Sequence, residues 1–335
     1  MKLEQILLST KKYLITGITG FVGPHLANIL HKDGHEIFGL TRSSHGREDD
    51  IRDIIPDKVY KDITFLYGDF TDAHSMDRIF KENPFEGVFH LGSQSHPPTS
   101  FIDPYGTYLA TGLGPINIAN SIIKYQPKCK YMFCSTSEVY GDCPEEAGPI
   151  DENFPIKPVN PYGVSKAVAD LYVLERARNL KLPFFTTRAF SHTGPRRGKK
   201  FSISSDAYQI VRIKKGLQKR VINVGTLSSK RVVVDVRDIA RGYYMLMDKF
   251  VPGEAYNVGG DDAFTMGQLL DMMLELEGLN GKVKKKLDPR LVRPIDIPVQ
   301  IFNTEKMRKL TGWKPKIKIE QSLRDLLDYW HGKIN

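Results

Sequence analysis

Residues 13–30 restrict the fold more than any other part of the chain. A short apolar run, Tyr13-Leu14-Ile15-Thr16, leads into Gly17-Ile18-Thr19-Gly20-Phe21-Val22-Gly23 and then into an amphipathic pattern through Leu26, Ile29 and Leu30. This reads as strand, glycine turn and helix. Glycines let the backbone turn tightly and approach a pyrophosphate, whose charge then sits at the helix N-terminus. The spacing is GxxGxxG rather than the GxGxxG of many dehydrogenases. With its flanking strand and helix it points to a dinucleotide site built on Gly17, Gly20, Phe21, Val22 and Gly23.

The chain then alternates strand and helix patterns at a spacing that predicts an α/β fold with a doubly wound parallel (Rossmann) sheet. A second strand, 35–40, ends at Thr41-Arg42-Ser43-Ser44. The acidic residue expected there for the ribose 2′-hydroxyl of NAD is missing. Arg42, Ser43 and Ser44 offer a cation and donors to a 2′-phosphate instead, which favours NADP and leaves NAD open. Strand 65–68 runs into Asp69, placed to reach the adenine edge, and Phe70. The buried run 87–92 carries Leu91 and leads to Ser93-Gln94-Ser95-His96, where small residues permit close approach of a cofactor. His96, followed by two prolines, suits loop shaping or substrate lining. A helix is expected over 111–125, apolar enough to cover the sheet or an interface.

Residues 131–136 read as a strand ending in Ser135-Thr136-Ser137-Glu138, and Pro161-Tyr162-Gly163-Val164-Ser165-Lys166 opens a helix. Tyr162 and Lys166 are four apart, so both point to one face, where the ammonium can lower the phenol's pKa. Thr136 and Glu138 fall at the carboxyl end of the preceding strand, where parallel sheets bind ligands, and add a second base beside the tyrosine. Glu138 paired with a nearby arginine is the alternative reading. After Arg188 the composition turns basic and rich in Gly and Pro. A dinucleotide-binding domain is expected over 1–188 and a smaller, mixed, mainly substrate-binding region over 189–335, with 231–260 returning to the core sheet. In that region we expect a helix over 204–215, a strand at 232–238 with Asp238 as N-cap of the next helix, and helices over 266–276 and 319–330.

Lys+Arg of 48 against Asp+Glu of 39 in 335 residues leaves a net charge of +9, which suits an anionic ligand. The basic residues are spread along the chain without the aromatic-interleaved stripe of a nucleic-acid module, so no nucleic-acid partner is expected. Cys129, Cys134 and Cys143 are an odd number without metal-ligand spacing, read as free thiols in a reducing compartment with no metal site. No run of about 18 apolar residues and no N-terminal cleavage pattern is present, so a cytoplasmic location without membrane attachment is expected.

Taken together, these residues resemble the extended short-chain dehydrogenase/reductases that modify nucleotide sugars, over nearly the whole chain. Within them the pattern is most similar to the GDP-mannose 4,6-dehydratases and GDP-heptose 4,6-dehydratases. Five stretches carry the likeness in order: Leu91-Gly92-Ser93-Gln94-Ser95-His96, Ser135-Thr136-Ser137-Glu138, Gly194-Pro195-Arg196-Arg197-Gly198, Asp288-Pro289-Arg290-Leu291-Val292-Arg293-Pro294 and Gly312-Trp313-Lys314-Pro315. The resemblance implies Thr136, Glu138, Tyr162 and Lys166 as catalytic, with Gly17, Gly20, Gly23, Arg42 and Asp69 holding NADP. It implies GDP-sugar contacts at His192, Arg197, Arg231 and Arg293. The chain departs from the mannose enzymes at Ser191-His192 and at Val232-Val233-Val234, both on the substrate side, so a heptose stays open.

The implied activity is an internally redox-neutral dehydration of a GDP-hexose or GDP-heptose to its 4-keto-6-deoxy derivative. A base at Glu138 separates this from a reductase or 4-epimerase on the same scaffold, which needs only the threonine, tyrosine and lysine. A catalytically silent NADP-binding regulator is the reading from another class. The resemblance further implies a homodimer or homotetramer, with helix 111–125 and the helix after Tyr162 burying a shared face and the loop 43–52 meeting a neighbouring subunit.

Overall fold

The computed structural model describes residues 10–42, 48–144, 146, 148–293, 295 and 297–334. Strands β1 (Lys12–Thr16), β2 (Glu36–Thr41), β3 (Ile63–Tyr67), β4 (Gly87–His90), β5 (Lys130–Thr136) and β6 (Phe184–Ala189) come first in the chain. The later strands are β7 (Ser191–Thr193), β8 (Val221–Val224), β9 (Lys230–Asp235), β10 (Ala255–Val258), β11 (Ala263–Thr265), β12 (Lys284–Leu287) and β13 (Val299–Gln300). Seven of them form one parallel sheet in the order β10-β6-β5-β4-β1-β2-β3. Both faces of the sheet are covered by helices, so strands such as Gly87–His90 and Phe184–Ala189 are buried at every position.

The chain runs outward from β1 through β2 to β3, then crosses back to place β4 on the other side of β1. Strand order therefore reverses between β1 and β4. A crevice opens there at the carboxyl ends of the strands, the place where open parallel sheets take their ligands. One face of the sheet buries Leu26, Leu30, Ile239, Tyr243 and Met247 from the helices Val22–Lys32 and Val236–Lys249. The opposite face buries Met76, Ile118, Ile122, Ala169 and Val173 from Ala73–Glu82, Gly114–Tyr125 and Pro161–Leu180.

Several elements sit differently from the sequence expectation. The second and third strands are each displaced by a residue or two, to Glu36–Thr41 and Ile63–Tyr67. The α-helix expected from residue 111 begins at Gly114, and Tyr108–Leu113 is a wider π-helical turn. Pro115 supplies the reason, having no N–H for the preceding turn and a ring that crowds its carbonyl. The run Val232–Val234 lies in β9, but this strand does not join the main sheet. It pairs instead with β7, β11 and β13, and of residues 231–260 only β10 enters the seven-stranded sheet. The N-cap of the following helix is Asp235, not Asp238: Asp235 has extended backbone angles and its carboxylate accepts from Arg237 N at 2.7 Å. Asp238, already inside the first turn, accepts instead from the amides of Lys316 and Ile317.

A separate core under the basic half of the chain is made by the helices Ser202–Lys214, Met266–Leu276 and Ile319–Lys333 with β8. Among the described residues no helix is long and apolar enough to cross a membrane.

Candidate active site

The catalytic stretch is shaped locally before it is assembled globally. β5 ends at Thr136, whose hydroxyl accepts from Glu138 N at 3.3 Å and caps the short 3-10 turn Ser137–Tyr140. Gly141 follows at φ 70°, and a Cβ there would stand 1.8 Å from the Lys157 carbonyl. Only glycine lets the chain pass at this point. The chain then returns to Asn160, which caps the next helix by accepting from Gly163 N at 2.7 Å, with Pro161 as its first residue. The same Asn160 donates through Nδ2 to Glu138 Oε2 at 2.8 Å, so one side chain fixes both the start of the helix and the carboxylate. The Tyr162 amide donates to Ser100 Oγ at 3.1 Å. Further along, Asp170 meets Arg188 of β6 in a buried ion pair at 3.1 Å.

Thr136, Glu138, Tyr162 and Lys166 border one cavity of about 260 Å³, together with Gly17, Gly20, Phe21, Val22, Leu91 and Ser93. The glycine turn fits a bound dinucleotide. Gly17 has φ 72° and a Cβ on it would stand 2.8 Å from Gly92 N, while a Cβ on Gly23 would stand 2.6 Å from the Gly17 carbonyl. The helix that follows opens with no side-chain cap and no acidic residue in its first turn, leaving its N-terminal charge for an anion. Below the turn, buried His90 holds Thr16 Oγ1 at 2.7 Å, and that hydroxyl accepts from Gly92 N at 3.0 Å.

Not every residue expected at the cofactor borders this cavity. Arg42 and Asp69 lie at the ends of β2 and β3, half-exposed, with Arg42 Nη1 3.8 Å from Asp69 Oδ2. Asp69 also accepts from the amide and hydroxyl of Thr71. Phe70 sets its ring edge-on to His90 at 5.3 Å. Ser43 lies outside the described residues, as does the rest of 43–47.

The expected lowering of the Tyr162 pKa by Lys166 does not hold in this structure. Burial pushes the phenol up, and Glu138 adds to the rise; the groups that pull it down are the Thr136 hydroxyl and the Arg197 guanidinium. Lys166 is engaged elsewhere. Its Nζ donates to the Cys134 carbonyl at 2.6 Å and stands 4.8 Å from the centre of the Phe133 ring. Burial lowers its own pKa to about 8.

A second cavity of about 560 Å³ continues from the first, and Ser191, His192, Arg197, Phe201 and Arg293 line both. Of the residues expected at the substrate, His192 stacks on Phe21 at 5.6 Å, donates from Nδ1 to the Phe190 carbonyl at 2.8 Å, and is pushed by burial to a pKa of about 4. Arg197 lies 3.5 Å over the Phe201 ring. Arg231 is buried on β9, lines the larger cavity and donates to the Lys230 and Pro298 carbonyls. Arg293 comes within 3.4 Å of Glu138 Oε1, so the ion pair weighed as the alternative for that carboxylate is present.

The family model for GDP-mannose 4,6 dehydratase matches residues 14–326. The chain belongs to the GDP-mannose 4,6-dehydratase family. Among its relatives is a GDP-6-deoxy-D-mannose reductase of Pseudomonas aeruginosa, 28% identical over 97% of this chain and 99% of that protein. GDP-mannose 4,6 dehydratase 2 of Arabidopsis thaliana is 30% identical over 94% of this chain and 85% of its own length. A solved structure, RMD from Pseudomonas aeruginosa complexed with NADPH, superposes with a TM-score of 0.81 at 28% identity, covering 97% of this chain and 100% of that one.

In this member of the family two positioning residues escaped the sequence reading. Asn160 carries an N-cap signal, Asn before Pro, but nothing local announces its bond to Glu138. Arg196, at φ 74°, reaches from the substrate side to the glycine turn, donating to the Thr19 and Gly20 carbonyls at 3.0 and 2.9 Å and to Asp53 at 2.7 Å. Its pattern, Gly-Pro-Arg-Arg-Gly, lies in the region expected to be mainly substrate-binding, and nothing in it announces a contact with the glycine turn.

Proposed function

We propose that the chain is a GDP-sugar 4,6-dehydratase acting on a GDP-hexose or GDP-heptose of the manno type, with NADP recycled at each turnover. The observation that carries this reading is the Glu138 carboxylate bordering the same cavity as Thr136 and Tyr162. The glycine turn from Gly17 to Gly23, Ser93 and Lys166 would hold the cofactor, with Arg42 and Asp69 at its adenosine end. When bound, its nicotinamide supplies a reversible hydride acceptor beside the sugar.

The chain's own groups do the proton work. Tyr162 accepts the proton of the sugar 4-hydroxyl as that carbon is oxidised, and Thr136 hydrogen-bonds the same oxygen. The ketone formed at carbon 4 acidifies the proton on carbon 5. Glu138 removes that proton and passes it to the 6-hydroxyl, which departs as water. A proton returns to carbon 5 as carbon 6 is reduced, giving the 4-keto-6-deoxy sugar. The buried phenol starts protonated, so Tyr162 needs a partner for its proton. Lys166 is close to its neutral form near pH 8 and is one turn along the same helix. The diphosphate suits the larger cavity, where Arg197, Lys200, Arg231 and Arg293 are among the lining residues.

A second reading, a reductase of a 4-keto GDP-sugar, is favoured by the likeness to the Pseudomonas aeruginosa reductase and by the two donors that already hold Glu138. Incubation with GDP-mannose and a GDP-manno-heptose without added cofactor, in parallel with a 4-keto GDP-sugar and NADPH, and mass analysis of the products separates the two. Loss of water supports the dehydratase. Turnover only of a 4-keto substrate, with gain of two hydrogens and consumption of NADPH, would replace it with the reductase.

A further inference from the structure

Asp206 has no place in the chemistry described above. It lies on the helix Ser202–Lys214, its residue is 6% exposed, and it lines the larger cavity but not the catalytic one. Its neighbours on that cavity wall include Asn223 and Gly225 of the β8 edge and the apolar side chains of Leu227 and Met266. No described residue donates a hydrogen bond to it. Burial raises its carboxyl to about 8, and the distant charge of Lys285 offsets this only in part. The carboxyl faces the cavity and takes no hydrogen bond from the described residues, so it is free to accept from donors that arrive with a ligand.

The cavity itself says which part of a ligand reaches Asp206. The end shared with the catalytic pocket carries Arg197 and Arg293, and further cations, Lys200, Arg231 and Arg290, line the rest. A sugar diphosphate held by these groups, with its sugar at Tyr162, leaves its nucleoside in the part of the larger cavity that the catalytic pocket does not share. Asp206 lines that part. A carboxylate offers two acceptor oxygens side by side. Among the common nucleobases guanine presents two adjacent donors, N1–H and the 2-amino group. Uracil and thymine present one N–H between two carbonyls, and adenine and cytosine an amino group beside a ring acceptor.

We propose that Asp206 is the residue that selects guanine, accepting hydrogen bonds from its N1–H and 2-amino group in the larger cavity. This rests on the GDP-sugar reading and assigns that reading's base specificity to one side chain. Guanine's two donors favour the ionised carboxylate, so binding draws off the proton that Asp206 holds in the free protein at neutral pH; the contact is then charge-assisted, and removing one donor leaves an acceptor unpaired.

The test is direct binding of nucleoside diphosphates to the full-length protein by titration calorimetry. GDP is expected to bind more tightly than IDP, which lacks the 2-amino group, by on the order of tenfold to a hundredfold. Asp206→Asn replaces one acceptor by a donor, so it should weaken GDP and strengthen XDP, whose 2-carbonyl accepts from the new amide. GDP and IDP binding within twofold of each other in the unsubstituted protein, while UDP binds more weakly, would overturn the role of Asp206 and leave the GDP reading standing. UDP binding more tightly than GDP would overturn both. A preference for GDP over IDP that persists undiminished in Asp206→Asn would also overturn the role of Asp206, and Asp206→Ala provides the same comparison where Asp206→Asn fails to fold.

Discussion

Glu138 and Arg293, 155 residues apart in the chain, meet at 3.4 Å across the mouth of the catalytic cavity. The other oxygen of the same carboxylate accepts from Asn160 at 2.8 Å, so both lone-pair faces of Glu138 are engaged. A base held this way is fixed in direction. It is also the group whose removal most sharply divides a dehydratase from a reductase.

Glu138→Gln keeps the size of the side chain and its bond from Asn160 but removes the base. With GDP-mannose, the first oxidation should proceed and elimination should stall, so an absorbance of reduced nicotinamide builds up without 4-keto-6-deoxy product. Loss of product formation by roughly a hundred- to ten-thousand-fold is expected for a general base. Product at the unsubstituted rate would remove Glu138 from the mechanism.

Lys166 gives a prediction in pH. Its folded pKa, about 8, lies below that of an exposed lysine, so the unfolded chain binds the extra proton between about pH 8 and 10.5 and stability rises with pH across that window. Below pH 8 the folded protein carries the full cost of a buried ammonium. Lys166→Met should therefore stabilise the protein at pH 7 by about 2 kcal/mol, some 3 kcal/mol from the removed charge less about 1 kcal/mol for the lost bond to Cys134. It should also flatten the rise between pH 8 and 10.5 and lose catalytic activity. Urea unfolding at pH 7 and pH 10 checks the sign; a variant less stable than the parent at pH 7 would contradict the buried-charge account.

Arg42, at the end of β2 and 3.8 Å from Asp69, is the group proposed to meet a 2′-phosphate. NADP should bind more tightly than NAD, and Arg42→Ala should narrow the difference by on the order of 1.5–3 kcal/mol, the range of a charge-assisted contact. Fluorescence titration with both cofactors measures it. Equal affinities in the unsubstituted protein would sink the assignment.

Ile102, Tyr105, Leu113, Val168 and Leu171 are large apolar side chains left exposed on helical segments that pack against one another. An apolar face of this kind is expected to be buried against a second copy of the chain. Light scattering at micromolar concentration should show a dimer at least, and Leu171→Glu should shift it towards the monomer. A monomer in the parent protein would rule this face out as a self-interface.

The order of strands and helices, the glycine turn at Gly17 and the start of the helix at Pro161 were legible in the sequence, because each depends on interactions between residues a few positions apart. Hydrophobic period, backbone freedom and capping act over one or two turns of chain, and the sequence displays them directly. The five family stretches were legible for the same reason, as contiguous patterns. What only the tertiary structure decided depends on neighbours brought from far away. β9 has the apolar pattern of a buried strand, yet its partners are β7, β11 and β13, since a run of valines specifies burial and not which sheet buries it. Tyr162 and Lys166 lie on one helix face as their spacing requires, but desolvation by the surrounding fold raises the phenol's pKa, opposite to the local expectation, and lowers that of the lysine. The setting of Asp206 is likewise invisible in a sequence: that no described residue donates to its carboxylate depends on how every described segment around the cavity is placed.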